Sequence, residues 1–137
     1  MNIADLTSRL SYAKRLQVGA VIVKGNQIIG TGYNGMPTGW DNVCEIEMTQ
    51  PVGRVNLVTK PEVLHAESNA IAKVSRSTES SDNATMFCTH APCIECAKLI
   101  YQSGINTLYY RNQYRDDSGV EFLKQGGVNV YQHTDSI

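Results

Sequence analysis

His65, Glu67, Cys93 and Cys96 are the residues of this chain best equipped for chemistry. One imidazole and two thiolates are ligands that borderline-soft zinc prefers, and three protein ligands leave a fourth position open for water. Two thiolates balance the charge of the ion, yet bound zinc can still bring the pKa of a water from ~15.7 to about 7, so that hydroxide is available at neutral pH. Glu67 lies two residues from His65. It can therefore stand beside the metal without binding it and carry protons.

The spacing requires particular elements. Cys93 and Cys96 are three apart, so one helical turn brings both sulfurs to one face. Pro92 suits a helix start, because the N–H it lacks would be unpaired there, and the positive end of the helix favours thiolate over thiol. Ala66, Ala70, Ile71 and Val74 form an apolar stripe at helical spacing. Residues two apart diverge within a helix, so His65 and Glu67 converge only at its first turn. The spacing predicts a zinc held between two helix N-termini. A C-x-x-C pair has two other readings, a redox pair or half of a structural zinc knuckle. Cys44, His90 and His133 offer no second close pair for a knuckle, and a thioredoxin-like pair has no need of the upstream His-x-Glu.

The chain has 137 residues, 42% of them hydrophobic, which fits one folded domain over 1–137. No run approaches the ~18 apolar residues of a membrane span, and Met1-Asn2-Ile3-Ala4-Asp5 lacks the basic and apolar regions of a signal peptide. Two cysteines committed to metal, with Cys44 and Cys88 left as thiols, suit a reducing cytoplasm. The 12 Lys and Arg are scattered and the net charge is −1. Nucleic-acid binders carry a basic footprint, so a small-molecule substrate is expected, with no nucleic-acid or membrane partner.

A first helix is expected over 3–14. Val18–Val23 is a continuous apolar run that reads as a buried strand. Gly25-Asn26 marks a two-residue hairpin turn, and Gln27–Tyr33 is the return strand. From Asn34 to about Lys60, Gly and Pro residues interrupt any periodicity, and a substrate- or effector-facing loop is expected. A strand over 84–88, a helix from Cys93 to the stop at Gly104, a strand over 105–110, a short helix to Gly126 and a strand over 128–131 complete the map. Alternating strands and helices after residue 84 imply parallel crossovers behind an initial hairpin, hence a mixed five-stranded sheet in an α/β layered fold.

The His-x-Glu and Pro-Cys-x-x-Cys pair resembles the signature of zinc nucleobase deaminases. Val18-Gly19-Ala20-Val21, Gly32-Tyr33-Asn34-Gly35-Met36-Pro37, His65-Ala66-Glu67-Ser68-Asn69-Ala70-Ile71 and the Cys93 motif, in this order, resemble the deoxycytidylate (dCMP) deaminase family, and its phage-type members in particular. Tyr110-Arg111-Asn112-Gln113-Tyr114-Arg115-Asp116 is similar as well. The resemblance implies a three-layer α/β/α cytidine-deaminase-like fold and hydrolysis of dCMP to dUMP and ammonia, supplying thymidylate synthesis in the cytoplasm, or the host's cytoplasm for a phage protein. It implies that Glu67 takes a proton from the nucleophilic water and delivers protons to N3 and the leaving amine. Asn34 would bind the deoxyribose, the Ala66 and Glu67 backbone would read the base edge, and Tyr114 with Arg111 or Arg115 would face the 5′-phosphate. Arginine suits phosphate because its fork pairs with two oxygens at once. Asn34 also suits a plain turn, and the arginines a solvated loop beside Asp116 and Asp117.

The resemblance further implies a homo-oligomer, a hexamer in parts of the family, activated by dCTP with Mg2+ and inhibited by dTTP. Gly32, Tyr33, Gly35 and Met36 would form the effector site, with Lys24, Arg15 or Lys14 as positive charge near the triphosphate. The same loop could instead merely shape the substrate pocket. Some relatives hold a second zinc through a Cys near the first strand and an added His; here Ser11-Tyr12-Ala13-Lys14 and Val63 stand in those places. One zinc per chain is expected, with Cys44 an ordinary loop thiol. A cytidine, deoxycytidine or tRNA deaminase would use the same zinc site, and a nucleotide-binding regulator would have no need of Glu67.

Overall fold

The computed structural model describes residues 1–49, 53 and 55–134. A short helix α1 (Asn2–Ser8) precedes the hairpin of β1 (Gly19–Lys24) and β2 (Gln27–Tyr33), and a second hairpin follows, β3 (Glu45–Thr49) with β4 (Val55–Thr59). Helix α2 (Ala66–Ser75), β5 (Thr85–His90), α3 (Ile94–Gln102), β6 (Thr107–Asn112), α4 (Ser118–Gln125) and β7 (Asn129–Gln132) complete the chain. The central sheet has the order β2-β1-β5-β6-β7. Strand β1 runs antiparallel to β2 and β5, and β5, β6 and β7 run parallel. This is the mixed five-stranded sheet the strand and helix order predicts. Gly25 and Asn26 both have positive φ (56° and 63°), the geometry of a tight turn whose twist matches that of its strands.

Two close approaches assign the layers. Gly32 pairs with Ala20, and a Cβ at Gly32 would overlap the Ala66 carbonyl oxygen and lie 2.6 Å from the Ala70 amide nitrogen. Helix α2 therefore lies on that face almost in backbone contact, with α3 beside it and α4 beside α3. Gly19 is one residue earlier and points to the other face, where a Cβ would overlap the Ala4 carbonyl oxygen of α1. The core fills the α2 side, with Ala20, Ile22, Met86, Cys88, Ile100 and Leu108 all fully buried. The α1 side is paved by stacked rings, Phe87 on Tyr109 at 5.1 Å and Tyr109 on Tyr131 at 5.2 Å. Among the described residues no helix is long and apolar enough to cross a membrane.

Two expectations are corrected. The first helix ends at Ser8 instead of continuing to residue 14. Beyond it the polar groups find tertiary partners: the Ser11 hydroxyl donates to the Asn34 carbonyl (2.7 Å), and the Lys14 and Arg15 amides donate to Glu45 Oε1 at 2.6 and 3.1 Å. Those bonds outcompete helix continuation. The stretch from Asn34 to Lys60 is not structureless, because it carries the β3–β4 hairpin in regular antiparallel register from Glu45↔Thr59 to Thr49↔Val55. Apolar and polar residues alternate in Glu45-Ile46-Glu47-Met48-Thr49, a period masked by the Gly and Pro on either side. Gln50, Pro51, Val52 and Arg54 of that stretch lie outside the described residues.

Arg111 ties the sheet to α1. It follows Tyr109 by two residues and so points to the α1 face, where its Nη2 donates to Asp5 Oδ1 at 2.6 Å. This bond, the largest influence, holds the Asp5 carboxyl below its ordinary pKa. A depressed carboxyl pKa stabilises the fold above the unfolded value and loses that contribution as pH falls through the folded one. Both side chains are partly exposed (22% and 33%), which limits the pair to about 1 kcal/mol. Arg111→Gln is expected to lower stability by about that much at neutral pH, with the difference from wild type fading as acid protonates Asp5. Thermal unfolding at a series of pH values checks this, and a pH-independent deficit would mean that lost packing, not charge, sets the cost.

Candidate active site

His65 and Cys93 occupy the same structural position in two different helices. Each is an N-cap residue in extended geometry, His65 (φ −79°, ψ 154°) before α2 and Cys93 (φ −71°, ψ 170°) before α3. Cys96 and Glu67 lie in the first turns of those helices. Cys93 thus caps its helix instead of opening it, with Pro92 one step outside. The expected convergence on two helix N-termini is observed. His65 Nδ1 lies 3.3 Å from Cys96 Sγ and 3.5 Å from Cys93 Sγ, and the three ligand atoms all fall within 4.8 Å of one another.

These distances fit zinc. Tetrahedral bonds of about 2.0–2.1 Å to nitrogen and 2.3 Å to sulfur set nitrogen and sulfur roughly 3.6 Å apart. The electrostatics point the same way. Left to themselves, two neighbouring thiolates repel, so the Cys96 thiol hydrogen-bonds the Cys93 sulfur. That bond first, and His65 second, holds Cys93 down at about 3, while the same bond and burial push Cys96 up. The hydrogen bond with Cys93 raises His65 above the usual imidazole range. A dication among these groups relieves the repulsion and lets both sulfurs ionise.

Glu67 is 4% exposed, and burial pushes its carboxyl up despite a hydrogen bond from Cys96. A carboxyl raised from its ordinary value approaches the neutral range in which general acid–base catalysis works best. The Glu67 amide donates to its own carboxylate, and Ala66, whose N–H is one of the orphan amides of the helix start, lines the cavity over the site.

A cavity of about 400 Å³ opens over these groups, lined by His65, Ala66, Glu67 and Cys93 and also by Asn34, Tyr114 and Arg115. These expected site residues are brought together. Cys96 is buried behind them. Asn34 serves the fold as well: its Oδ1 accepts the Val18 N–H (2.9 Å) and its Nδ2 donates to the Leu16 carbonyl (2.8 Å), stapling that segment along the cavity wall. Arg111 does not line the cavity, being held by Asp5 on the opposite face of the sheet.

The residues expected for an effector do not converge within one chain. Arg15 lines the active-site cavity, whereas Lys24 lies at the far end of β1, donating to the Ser80 carbonyl (3.2 Å). Gly32 is the close-packing position under α2. Tyr33, Gly35 and Met36 lie outside the cavity lining. Gly35, however, exchanges two backbone hydrogen bonds with Leu64, of 3.0 and 2.8 Å, immediately before His65.

Sequence reasoning missed His90, Cys44, Glu45 and Thr59, all of which line the cavity. Thr89 Oγ1 accepts the Gly19 N–H (3.1 Å) and lies 2.8 Å from His90 Nδ1. Burial, with Arg111 nearby, lowers the His90 pKa. A strand drawn two residues longer, to residue 90, would have put His90 at the strand end, three residues before Cys93. Cys44 is a free thiol in the loop just before β3, and burial there raises its pKa.

The comparisons agree with this geometry. Residues 1–112 match the family described as cytidine and deoxycytidylate deaminase zinc-binding region. Deoxycytidylate deaminase of Enterobacteria phage T4 is 34% identical over 96% of this chain and 86% of its own length. A crystal structure of dCMP deaminase from the cyanophage S-TIM5, in complex with dCMP and dUMP, superposes with a TM-score of 0.87 at 44% identity, covering 96% of this chain and 92% of that one. A structure from work on tRNA:A34 deaminases reaches a TM-score of 0.65 at 24% identity, covering 96% and 89%, which shows the fold alone. With the three ligand atoms gathered at two helix N-termini beside a buried glutamate, this chain belongs to the zinc-binding cytidine and deoxycytidylate deaminase family.

Proposed function

We propose that this protein hydrolyses dCMP to dUMP and ammonia, supplying dUMP for thymidylate synthesis. The observation that carries the reading is the buried Glu67 carboxyl beside the His65, Cys93 and Cys96 cluster, at a cavity that also presents Arg15 and Arg115. The phage T4 and cyanophage relatives, described as deoxycytidylate deaminases, support the choice of substrate. His65, Cys93 and Cys96 would hold zinc, whose Lewis acidity makes a water molecule acidic enough to ionise near neutral pH. Glu67 would accept that proton and pass it to N3 of the base as the water oxygen bonds to C4, and would then carry the remaining proton of that oxygen to the amine, whose bond to C4 breaks to release ammonia. The Ala66 N–H is a donor suited to the acceptor edge of a pyrimidine, Asn34 is suited to the deoxyribose, and Tyr114 to the nucleotide's outer end.

Regulation is part of the proposal: a homo-oligomer, in hexameric form, activated by dCTP with Mg2+ and inhibited by dTTP. Its support is the Gly35–Leu64 pairing, which joins the Gly32–Pro37 segment to the residue before a metal ligand. An effector that prefers one arrangement of that pairing would change affinity at the site, by about 5- to 150-fold for couplings of 1–3 kcal/mol. The four unpaired thiols suit a reducing cytoplasm.

Ammonia release from dCMP, deoxycytidine and CMP, measured side by side with and without dCTP–Mg2+ or dTTP, tests both parts. Fastest turnover of dCMP, sigmoidal and shifted by the effectors, is the expected result. Equal turnover of deoxycytidine would overturn the substrate. Hyperbolic kinetics indifferent to both triphosphates, with a monomeric mass in solution, would overturn the regulation.

A further inference from the structure

The β3–β4 hairpin is a sheet of its own, so both of its long edges are open. Two strands by themselves make a marginal sheet, and an open edge is a template for another strand. The two edges differ. The Lys60 N–H donates to the Cys44 carbonyl at 2.8 Å, one step outside the Glu45↔Thr59 pair of an unbroken register. Alternation of the antiparallel ladder then turns the N–H and C=O of Asn56 and Val58 toward β3, and those of Val55, Leu57 and Thr59 toward the open side of β4. On β3 the outward residues are Glu45, Glu47 and Thr49. A copy of β3 laid against itself would oppose Glu47 to Glu47, a like-charge pair that repels. Strand β4 carries no charge, no Pro and no bulge, the features that keep an edge from pairing. Val55 and Thr59 are exposed and Leu57 is partly so.

We infer that β4 pairs antiparallel with β4 of a second copy of this chain, about a two-fold axis at Leu57, and that the pairing completes the rim of each active-site cavity. The inference rests on the proposed homo-oligomer and names one of its contacts. Centred on Leu57, the pairing opposes Leu57 to Leu57 and Val55 to Thr59, so every outward N–H and C=O of these three residues is bonded in both copies. The neighbouring registers fail. An axis at Thr59 opposes Leu57 to Pro61, which has no N–H to donate. An axis at Val55 opposes it to Gly53, whose φ of 79° is not that of a strand. A two-fold contact is self-complementary and closes, leaving no free β4 edge to recruit further chains. Opposed residues share one face of a sheet, so Val55 of the second copy stands beside Thr59, which lines the cavity. Arg15 Nη1 donates to Thr59 Oγ1 at 3.2 Å. The second copy thereby fixes the strand that holds a cavity guanidinium.

The test is the mass in solution, by sedimentation at several concentrations, of wild type, Leu57→Lys, Leu57→Glu and an equimolar mixture of the two variants, with KM for dCMP read on each. Either variant alone sets like charges at the axis and is expected to show about half the wild-type mass and a KM raised several-fold. The mixture, with Lys facing Glu, should return to the wild-type mass and KM, a rescue that two misfolded variants would not give. Unchanged mass in both variants, beside an oligomeric wild type, overturns this inference alone. A wild type that stays monomeric at every concentration overturns the homo-oligomer and this contact together. Halved masses that mixing fails to restore overturn the pairing at Leu57, and a KM that stays constant while the mass falls and recovers overturns the contribution to the cavity.

Discussion

Glu67→Gln is expected to bind zinc at wild-type stoichiometry and to unfold at or above the wild-type temperature, yet to lose about 10²–10⁴-fold or more in kcat. The carboxyl is buried in the first turn of α2, and the ligand atoms that cluster are those of His65, Cys93 and Cys96. Glutamine keeps the shape and a polar atom for the Cys96 contact but cannot take up and release a proton. Because a buried acid disfavours its own ionised form, the neutral amide costs the fold nothing at neutral pH. Two measurements decide the matter, metal content by atomic emission and single-turnover rates. Loss of zinc would make Glu67 a ligand, and activity within tenfold of wild type would remove it from the proton path.

Cys96→Ser should do the opposite and take metal and stability away together. A serine hydroxyl is a poor substitute for a thiolate toward zinc, and the free energy of metal binding is coupled to the folded site. Cys96 is the more buried of the two cysteines, so its replacement also leaves a hydroxyl enclosed beside His65, Cys93 and Glu67 without its bond to the metal. Cys93, half-buried at the cap, should lose metal with a smaller direct cost to packing. The expected signature is that a chelator lowers the melting temperature of wild type to near that of Cys96→Ser and does not move the variant further. Full zinc occupancy in either serine variant would break the ligand assignment.

His65, Glu67, Cys93 and Cys96 were legible because their chemistry depends on short spacings. Two residues at a helix start and three within one turn confine the side chains whatever the rest of the chain does. The hairpin and the parallel crossovers were legible for a similar reason: Gly25-Asn26 and the alternation of strands with helices are local signals that few topologies satisfy. The same local reading took α1 six residues too far, because the partners that end it, Asn34 and Glu45, lie more than twenty residues away in sequence.

Which arginine lines the cavity is a different kind of question. Arg111 and Arg115 stood beside a motif and Arg15 did not, yet strand alternation turns Arg111 to the α1 face, where Asp5 holds it. Arg15 reaches the cavity only because residues 9–18 leave the helix and are pinned by one rung of a hairpin 30 residues on. His90 is likewise placed by tertiary contact, since the Thr89 hydroxyl beside its ring also accepts the Gly19 amide of β1. The sequence by itself determined the gathering of His65, Cys93 and Cys96 with Glu67 beside them, and the sheet. Tertiary structure decided which charges and donors face the cavity, because a side chain's direction depends on the strand face and on the distant partner that claims it.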